Sequence, residues 1–285
     1  MYNIDWLMLK TINQEKSITK AAAKLYITQP AITRRLKNLE DEFHCTILIR
    51  NPNGITFTPQ GIELLAYASK ALKDFRHLTE SLELMGNTPC GSLSIGVSRV
   101  FANHELPAIL KTFTQKYPQV KINLRTDLSK NIYKLLQQDE ITLAVIRGEY
   151  NWNGETILLQ DEPICLVAEK QLSMEDLPKM PFIVAESSIH SLTEEWWCEN
   201  FTQAPNITSY VDSIDTCREM VINGLGWSIM PHMGLPDNKQ LFIKPLYLKN
   251  GTPLHRPTCI LYRHPCGELP SLRVFVEHMK SYFKK

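Results

Sequence analysis

The stretch from Ser17 to Glu40 constrains the fold of this chain more than any other. It reads SITKAAAKLYITQPAITRRLKNLE, a pattern typical of two short helices joined by a tight turn. Ser17 and Thr28 precede the two apolar patterns as helix N-caps do, and Pro30 falls in the first turn of the second helix, where its missing N–H costs little. The buried face of the second helix is predicted to hold residues spaced three and four apart, namely Ile32, Leu36, Leu39 and Phe43.

The opposite face of the second helix carries residue types that bind DNA. Amide and hydroxyl groups read base edges, whereas Arg and Lys bind guanine or phosphate. The alternative is a solvated polar face, because most such helix faces simply meet water. The candidate DNA-binding residues on this helix and at its start are Thr28, Gln29, Pro30, Thr33, Arg34 and Lys37.

The sequence AAAKLYITQPAITRRLKNLE resembles the helix-turn-helix of the LysR-type transcriptional regulators. The family motif [ST]-Q-P-A-[IV]-[ST] is matched at residues 28–33, and the match continues to Glu40. Two glycines of the family are replaced, by Lys16 before the capping Ser and by His44 after the second helix. Both turns are therefore expected to differ slightly in backbone shape. The resemblance implies a regulator that binds double-stranded DNA.

A two-stranded wing is predicted to follow the second helix. The segments TILIR and ITF flank the turn sequence Asn51-Pro52-Asn53-Gly54. Arg50 at the base of this hairpin is a candidate phosphate contact and Asn53 at its tip a candidate minor-groove contact, with an ordinary hairpin as the alternative. A first helix closes the core of this winged helix-turn-helix domain, residues 1–58, with Ile4, Leu7, Met8 and Ile12.

Charge is unevenly distributed along the chain. Residues 1–58 contain eight Lys and Arg against five Asp and Glu, a net charge of +3, whereas the whole chain carries +1 and the remainder therefore −2. The N-terminal end is thus modestly basic, as a DNA-binding domain requires.

Thr58-Pro59 supplies an N-cap and a first-turn proline for a long helix predicted to end near Met85, within a linker segment at 59–86. Its apolar positions alternate in steps of three and four, the coiled-coil period. The alternative is packing against its own domain. The pattern matches the linker helix through which LysR-type proteins dimerise, and a homodimer, with assembly to a tetramer expected, would face a dyad-symmetric operator. The predicted contact positions are Leu65, Ala68, Leu72, Phe75, Thr79 and Leu82.

Beyond a turn-rich junction at 86–91, strands and helices alternate through residues 91–285. This rhythm predicts parallel sheets covered by helices. Two lobes are expected, with crossings near Asp161 and His264 and the last helix returning to the first sheet. The first lobe comprises 91–161 and 265–285, and the second 162–264.

The fold class predicted for the whole chain is α+β multidomain. It consists of an N-terminal winged helix-turn-helix, a long linker helix and a C-terminal two-lobed α/β domain. The last resembles the effector domain of the LysR family, whose fold is shared with periplasmic binding proteins. The resemblance is strong in residues 1–60 and rests on architecture alone after residue 91.

An effector site is predicted beyond the carboxyl ends of the strands, where open parallel sheets bind ligands. Helix N-termini attract anions, so the predicted effector is a small anion. The alternatives are that Ser129 is a plain helix cap, and that the arginines point to solvent or pair with Glu149 or Asp127. The candidate effector-binding residues are Ser98, Arg99, Thr126, Ser129 and Arg147 in the first lobe and Ser187, Ser188 and His190 in the second.

Several other classes of protein are disfavoured. The chain lacks a run of about 18 apolar residues, so no membrane association is expected, and its first ten residues lack the pattern of a signal peptide, which predicts a cytoplasmic location. It also lacks a nucleophile elbow, a metal-binding motif and a dinucleotide fingerprint. No enzymatic activity, cofactor or metal is therefore expected.

Seven cysteines are scattered along the chain without a C-x-x-C pair. Reduced thiols are the expectation for such a set. A thiol-based redox sensor on the same scaffold, using for instance Cys198 with Cys217, is the alternative function.

Overall fold

The structure is a computed structural model that describes residues 3–51, 54–84, 89–186, 189–236, 241–264 and 269–284. The chain divides into two compact units, Met1–Met85 and Gly86–Lys285. Among the described residues, no helix combines the length and the apolar composition needed to cross a membrane.

The first unit contains the two helices predicted from Ser17 to Glu40. The side chain of Ser17 accepts a hydrogen bond from the N–H of Lys20 at 3.3 Å, and that of Thr28 accepts one from Ala31 at 3.4 Å. Both predicted N-caps are thereby confirmed. The elements of this unit are α1 (Asn3–Glu15), α2 (Ile18–Lys24), α3 (Gln29–Phe43), β1 (Leu48–Asn51), β2 (Gly54–Phe57) and α4 (Pro59–Leu84).

The buried face of α1 differs from the predicted one. Leu7 is 40% exposed, whereas the buried residues at the spacing i, i+3, i+4 and i+7 are Asp5, Met8, Leu9 and Ile12. Asp5 occupies an inward position because Arg35 of α3 pairs with its carboxylate at 3.1 Å. The sequence pattern missed this face because it treats a charge as an exposed position.

The predicted face of α3 is confirmed for Ile32, Leu36 and Leu39, which are buried. Phe43 was predicted to be buried and is 42% exposed. It is the last residue of α3, and His44 turns the chain into a left-handed conformation directly after it, so its side chain lies beyond the core.

The predicted wing is present as an antiparallel hairpin in which Leu48 pairs with Phe57. The side chain of Glu40 joins α3 to this hairpin by accepting a hydrogen bond from the N–H of Ile47 at 2.8 Å. Gly61 at the start of α4 lies against the same segment, since a Cβ atom there would stand 2.2 Å from the carbonyl oxygen of Ile47. The hairpin is therefore anchored to helices on both sides.

The long helix α4 has the predicted extent. Its first half belongs to the core of its own unit, where Ala68 is fully buried and Leu65 is packed against the core. Further along, the predicted residues Phe75 and Leu82 are 47% and 57% exposed, and Leu78, which was not among the predicted positions, is 55% exposed. The predicted stripe therefore splits into an inner part that packs within the unit and an outer part that the described residues leave uncovered.

The second unit is built on a seven-stranded sheet with the order β10-β6-β11-β5-β3-β4, and β9 also pairs with β6. Its strands are β3 (Gly91–Ser98), β4 (Val120–Asp127), β5 (Leu143–Arg147), β6 (Glu155–Ala168), β7 (Phe182–Ala185), β8 (Ile207–Val211), β9 (Ser228–Pro231), β10 (Phe242–Pro245) and β11 (His255–Tyr262). Its helices are α5 (Arg99–His104), α6 (Leu106–Lys116), α7 (Ser129–Gln137), α8 (His190–Asn200), α9 (Ile214–Ile222) and α10 (Pro270–Phe283).

The sheet is mixed, whereas wholly parallel sheets were predicted. Strands β4, β3 and β5 are parallel to one another, but β11 pairs antiparallel with β5 and β6, and β9 and β10 pair antiparallel with β6. The prediction holds for β3, β4 and β5, which are connected by helices, and fails for β6, β9, β10 and β11. It also missed α5, β10 and the first half of β6, where the apolar run of three residues at 157–159 was too short to indicate a strand.

Strand β6 links two lobes. Its first half pairs with β11, and from Ile164 onward it pairs with β9 and β10, which agrees with a crossing near Asp161. The return crossing lies at His255 rather than His264, because Leu254 packs in the core of the second lobe while Thr258 already pairs with β5 of the first lobe. Helix α10 packs on the first lobe, as predicted.

Candidate functional site

The exposed face of α3 is a candidate DNA-reading surface. Gln29, Pro30, Arg34 and Lys37 are exposed, and they lie opposite the buried face of the same helix. Thr28 is also exposed, although its hydroxyl serves as the cap of α3. This arrangement brings an amide, a guanidinium and an ammonium group to one accessible surface.

The other predicted DNA-binding residues are placed less simply. Thr33 is only partly exposed, and its hydroxyl oxygen is buried with no hydrogen-bond partner among the described residues. Arg50 lies on β1, where its backbone pairs with Ile55. Asn53 lies outside the described residues. The structure therefore brings the predicted DNA-binding residues of α3 to one surface, whereas for the wing it describes only the backbone of Arg50.

Sequence reasoning missed Tyr26, in the turn between α2 and α3. Its side chain is 96% exposed, and its backbone adopts a left-handed conformation with φ of 54°. An aromatic residue that interrupts the apolar pattern directly before the cap of α3 was the available indication. Its position places a ring and a hydroxyl beside the candidate reading face.

A cavity of about 210 Å³ lies between the two lobes of the second unit. It brings together four of the predicted effector-binding residues: Ser98, Arg99, Ser129 and Arg147. The opposite wall is formed by residues at the end of β7 and before and within the first turn of α9. The charged and hydroxyl side chains that sequence reasoning missed here are Lys130, Tyr150, Glu186, Asp212, Ser213, Asp215 and Arg256.

Two predicted residues do not line this cavity. Thr126 is exposed on β4. Side chains alternate along a strand, and it is the next residue, Asp127, that pairs with Arg99 at the cavity. His190 opens α8, pairs with Glu194 at 3.2 Å and lines a second, separate cavity beside Trp197. Ser187 and Ser188 lie outside the described residues.

Arg147 is 1% exposed and pairs with Glu162, which is itself 6% exposed. The Nε atom of Arg147 donates to Oε1 of Glu162 at 3.0 Å, and its Nη2 atom donates to the same oxygen. Oε2 of Glu162 accepts from the N–H of Met233. The predicted alternative, pairing with Glu149, is thus replaced by a buried pair across the sheet.

Arg256 adds a second guanidinium beside this pair. It is 7% exposed, and its Nη2 atom donates to the carbonyl oxygen of Arg147 at 3.4 Å. Burial, together with the charge of Arg147, lowers the pKa of Arg256 to about 10, although Glu162 opposes the shift. Two buried guanidinium groups therefore lie close together and line the cavity.

Hydroxyl groups complete this part of the cavity. Ser129 does not cap α7, since its hydroxyl accepts a hydrogen bond from the N–H of Arg147 at 3.1 Å. Burial raises the pKa of Tyr150, so its hydroxyl is neutral and can donate. The hydroxyl oxygen of Ser98 is buried and has no hydrogen-bond partner among the described residues.

Contacts across the cleft connect the lobes at both sides of the cavity. Lys130 pairs with Glu186 at 3.2 Å. On the other side, Asp215 accepts from Asn103 at 2.9 Å and contacts Nε2 of His104 at 2.9 Å. Because a carboxylate only accepts, Nε2 of His104 carries the proton in this contact.

Asp215 is also held by Arg218 at 3.2 Å within α9. Partial burial raises the pKa of the Asp215 carboxyl, but the hydrogen bonds from His104 and Asn103 and the charges of His104 and Arg218 outweigh it, so the pKa lies below its ordinary value. Arg99, by contrast, pairs with Asp127 at 3.1 Å, the alternative foreseen for it.

The six cysteines that the structure describes are all free thiols. Cys217 is fully buried, its thiol donates to the hydroxyl of Ser228 at 3.1 Å, and burial raises its pKa, which disfavours the reactive thiolate. Cys198 is exposed on α8. Within the described ranges, no group of three or more His, Cys, Asp or Glu residues is arranged to hold a metal ion.

Comparison with known proteins covers nearly the whole chain. Residues 5–62 match the model of the bacterial regulatory helix-turn-helix protein, lysR family, and residues 86–284 match the LysR substrate binding domain. The uncharacterized HTH-type transcriptional regulators YraN and YkuM of Bacillus subtilis (strain 168) are 34% and 31% identical to the chain. The alignments cover 97% of this chain and 96% of YraN, and 96% of this chain and 94% of YkuM.

Solved structures share the fold. The full-length Vibrio cholerae virulence activator AphB is 19% identical, with a TM-score of 0.68 over 99% of this chain and 100% of that one. Full-length CbnR in complex with its target DNA is 20% identical, with a TM-score of 0.63 over 99% of both chains. With its N-terminal helix-turn-helix domain and C-terminal effector-binding domain, the chain belongs to the LysR family of transcriptional regulators.

Proposed function

We propose that this regulator reads a dyad-symmetric DNA operator with α3 and changes its assembly on DNA when a small anion binds the cavity between the lobes. The observation that carries the DNA-binding part is the accessible face of α3, opposite its buried face. Gln29 is suited to base edges, Arg34 to guanine or phosphate and Lys37 to phosphate. Thr28, Pro30 and Thr33 border this face. Arg50 and Asn53 are proposed as further DNA contacts on the basis of the sequence alone.

Selection of genomic DNA fragments by the full-length protein, followed by sequencing, tests this reading. The proposal expects two inverted half-sites whose centres are separated by about one helical turn or a multiple of it. Fragments that share no dyad would contradict a symmetric reader.

We propose that α4 joins two copies of the chain. Phe75, Leu78 and Leu82 follow one another at the spacing i, i+3 and i+7, and all three are exposed. Two such faces bury each other in a coiled-coil arrangement. Assembly of these dimers into tetramers extends the same proposal.

The substitution Leu78→Glu tests the α4 interface. It should convert dimers to monomers in light scattering at micromolar concentration, because a carboxylate at a buried apolar contact is left unpaired. Lys70→Glu is the matched control, since Lys70 is exposed on the same helix but is not apolar. An unchanged mass for Leu78→Glu would place the interface elsewhere.

The anionic character of the effector rests on the base of the cavity. Arg147 and Arg256 are both buried, and both line the cavity. A guanidinium group binds an anionic oxygen through charge-assisted hydrogen bonds, so two of them favour an anion here. The unpartnered hydroxyl of Ser98 is a ready donor to it.

Calorimetry with a panel of small anions tests the cavity. Arg147→Ala would leave Glu162 buried without its partner, so Ser98→Ala is the cleaner variant. It should weaken binding about tenfold, since a buried hydrogen bond to a charged group is worth about 1.5–3 kcal/mol. Ser94→Ala on the same strand is the control, and equal binding by Ser98→Ala and wild type would remove Ser98 from the site.

Ligand binding would act through the contacts between the lobes. An anion that bridges the cleft adds to the Lys130–Glu186 and His104–Asp215 contacts and so favours the closed arrangement. The redox alternative has less support, because the buried Cys217 thiol is a poor nucleophile.

A further inference from the structure

The charges around the effector cavity are segregated by lobe. The first lobe contributes Arg99, Lys130 and Arg147, and the return strand β11 adds Arg256. The charged residues that the second lobe contributes to the same cavity are all acids: Glu186, Asp212 and Asp215. A ligand that spans the cleft therefore meets positive charge at one end and negative charge at the other.

We propose, on the basis of the effector site proposed above, that the effector is a small zwitterion of the amino-acid type. Its carboxylate lies against Arg147, Arg256 and the Ser98 hydroxyl, and its ammonium group lies against Asp212.

The basic end of the cavity favours an anion because Arg147 and Arg256 both line it, and it also supplies hydroxyl donors. The Ser98 hydroxyl is buried, unpartnered and lines the cavity. Tyr150 lines the cavity from the same lobe. A carboxylate with two acceptor oxygens satisfies both kinds of group, the guanidinium charge and the hydroxyl donors.

The three carboxylates at the acidic end of the cavity differ in their hydrogen-bond and ion-pair partners. Glu186 is paired with Lys130, and Asp215 is held by His104, Asn103 and Arg218. Asp212, by contrast, makes no hydrogen bond or ion pair with another described residue. It lies directly before the cap of α9 and lines the cavity, so it is the carboxylate available to receive an ammonium group.

Asp212 also discriminates against other anions. A dicarboxylate would place its second charge against the Asp212 carboxylate, where like charges repel. A simple monocarboxylate would leave Asp212 without a donor. The volume of about 210 Å³ is smaller than the 300–1,000 Å³ common for drug-sized ligands, which limits the ligand to a small molecule.

Calorimetry on the full-length protein with the twenty standard amino acids provides the test. The tightest-binding amino acid is then compared with the same molecule lacking its α-amino group and with the amine lacking its carboxylate. The amino acid should bind at least ten times more tightly than either analogue. Succinate and glutarate serve as dicarboxylate probes and should bind more weakly still.

Asp212→Asn identifies the residue responsible. This variant should reduce the preference of the amino acid over its deaminated analogue to less than threefold. Glu175→Gln, which removes an exposed carboxylate of the second lobe outside the cavity, should leave the preference unchanged.

The binding results separate the zwitterionic effector from the anionic site. Carboxylates that bind as tightly as amino acids, with a loss in Ser98→Ala, would overturn the zwitterion and retain the anionic site. Binding by none of these probes, or best binding by the amine, would overturn both proposals. An amino-acid preference that survives Asp212→Asn would overturn the assignment of the ammonium group.

Discussion

Two residues of the helix-turn-helix hold backbone conformations that glycine adopts more easily. Lys16 has a φ of 51° and His44 a φ of 49°. They stand where the family that the motif resembles carries glycine. Both residues adopt a left-handed backbone, at a cost of roughly 1 kcal/mol for each non-glycine residue.

Lys16→Gly and His44→Gly should therefore each stabilise the N-terminal unit. The expected gain in the free energy of unfolding is about 0.5–1 kcal/mol per site, because the strain of the side chain is removed while glycine adds some entropy to the unfolded chain. Urea unfolding followed by circular dichroism measures it. Lys37→Gly, at an exposed position in the interior of α3, is the control and should lose about 1 kcal/mol. A loss at Lys16 and His44 equal to that of the control would show that the strain is not relieved.

At the scale of elements, the sequence predicted the helices of the first unit because apolar spacing and N-caps agree there. It failed on the buried face of α1 because an internal partner, Arg35, makes the burial of Asp5 possible. In the second unit, the strand ends located Ser98, Ser129 and Arg147 correctly at one cavity.

The partners of these cavity residues were not predictable from spacing. Glu162, Arg256 and Asp212 lie far from them in sequence, and only the antiparallel pairing of β6 with β11 and the approach of the second lobe bring them near. Because the sequence pattern contains no information on this pairing, the network of buried charges emerged only from the structure.

The attachment of the wing to α3 gives a prediction about elements. Glu40→Ala should destabilise the N-terminal unit by about 1–2 kcal/mol, because the buried N–H of Ile47 loses its acceptor. Glu40→Gln keeps an acceptor oxygen at the same place and should lose less. Equal losses in the two variants, measured by urea unfolding, would contradict a role for this hydrogen bond.

For the whole molecule, the contact of His104 and Asn103 with Asp215 makes the closure of the lobes dependent on pH. The pKa of Asp215 is lowered in the folded state, so its contribution to stability is fully present above its unfolded-state pKa of about 3.9 and is lost as the pH falls through the lower folded value. Acidification below about pH 4 should thus weaken the effector domain.

Asp215→Asn should flatten this acid dependence, because the asparagine side chain does not titrate in this range. Urea unfolding followed by tryptophan fluorescence between pH 3 and 7 measures it, with Glu175→Gln as the control. If wild type and Asp215→Asn lost stability in parallel on acidification, another carboxyl group would be responsible.

The salt dependence of DNA affinity shows whether the exposed face of α3 binds the operator. Fluorescence anisotropy with a selected operator fragment would compare wild type, Arg34→Ala and Lys121→Ala, which removes an exposed cation from the effector domain. If Arg34 contacts a base, Arg34→Ala should weaken binding by about 1–3 kcal/mol. If Arg34 contacts a phosphate, the same substitution should lower the salt slope by about 1. Lys121→Ala should change neither the affinity nor the salt slope. If both the affinity and the salt slope were unchanged in Arg34→Ala, Arg34 and the face of α3 on which it lies would not bind the operator as proposed.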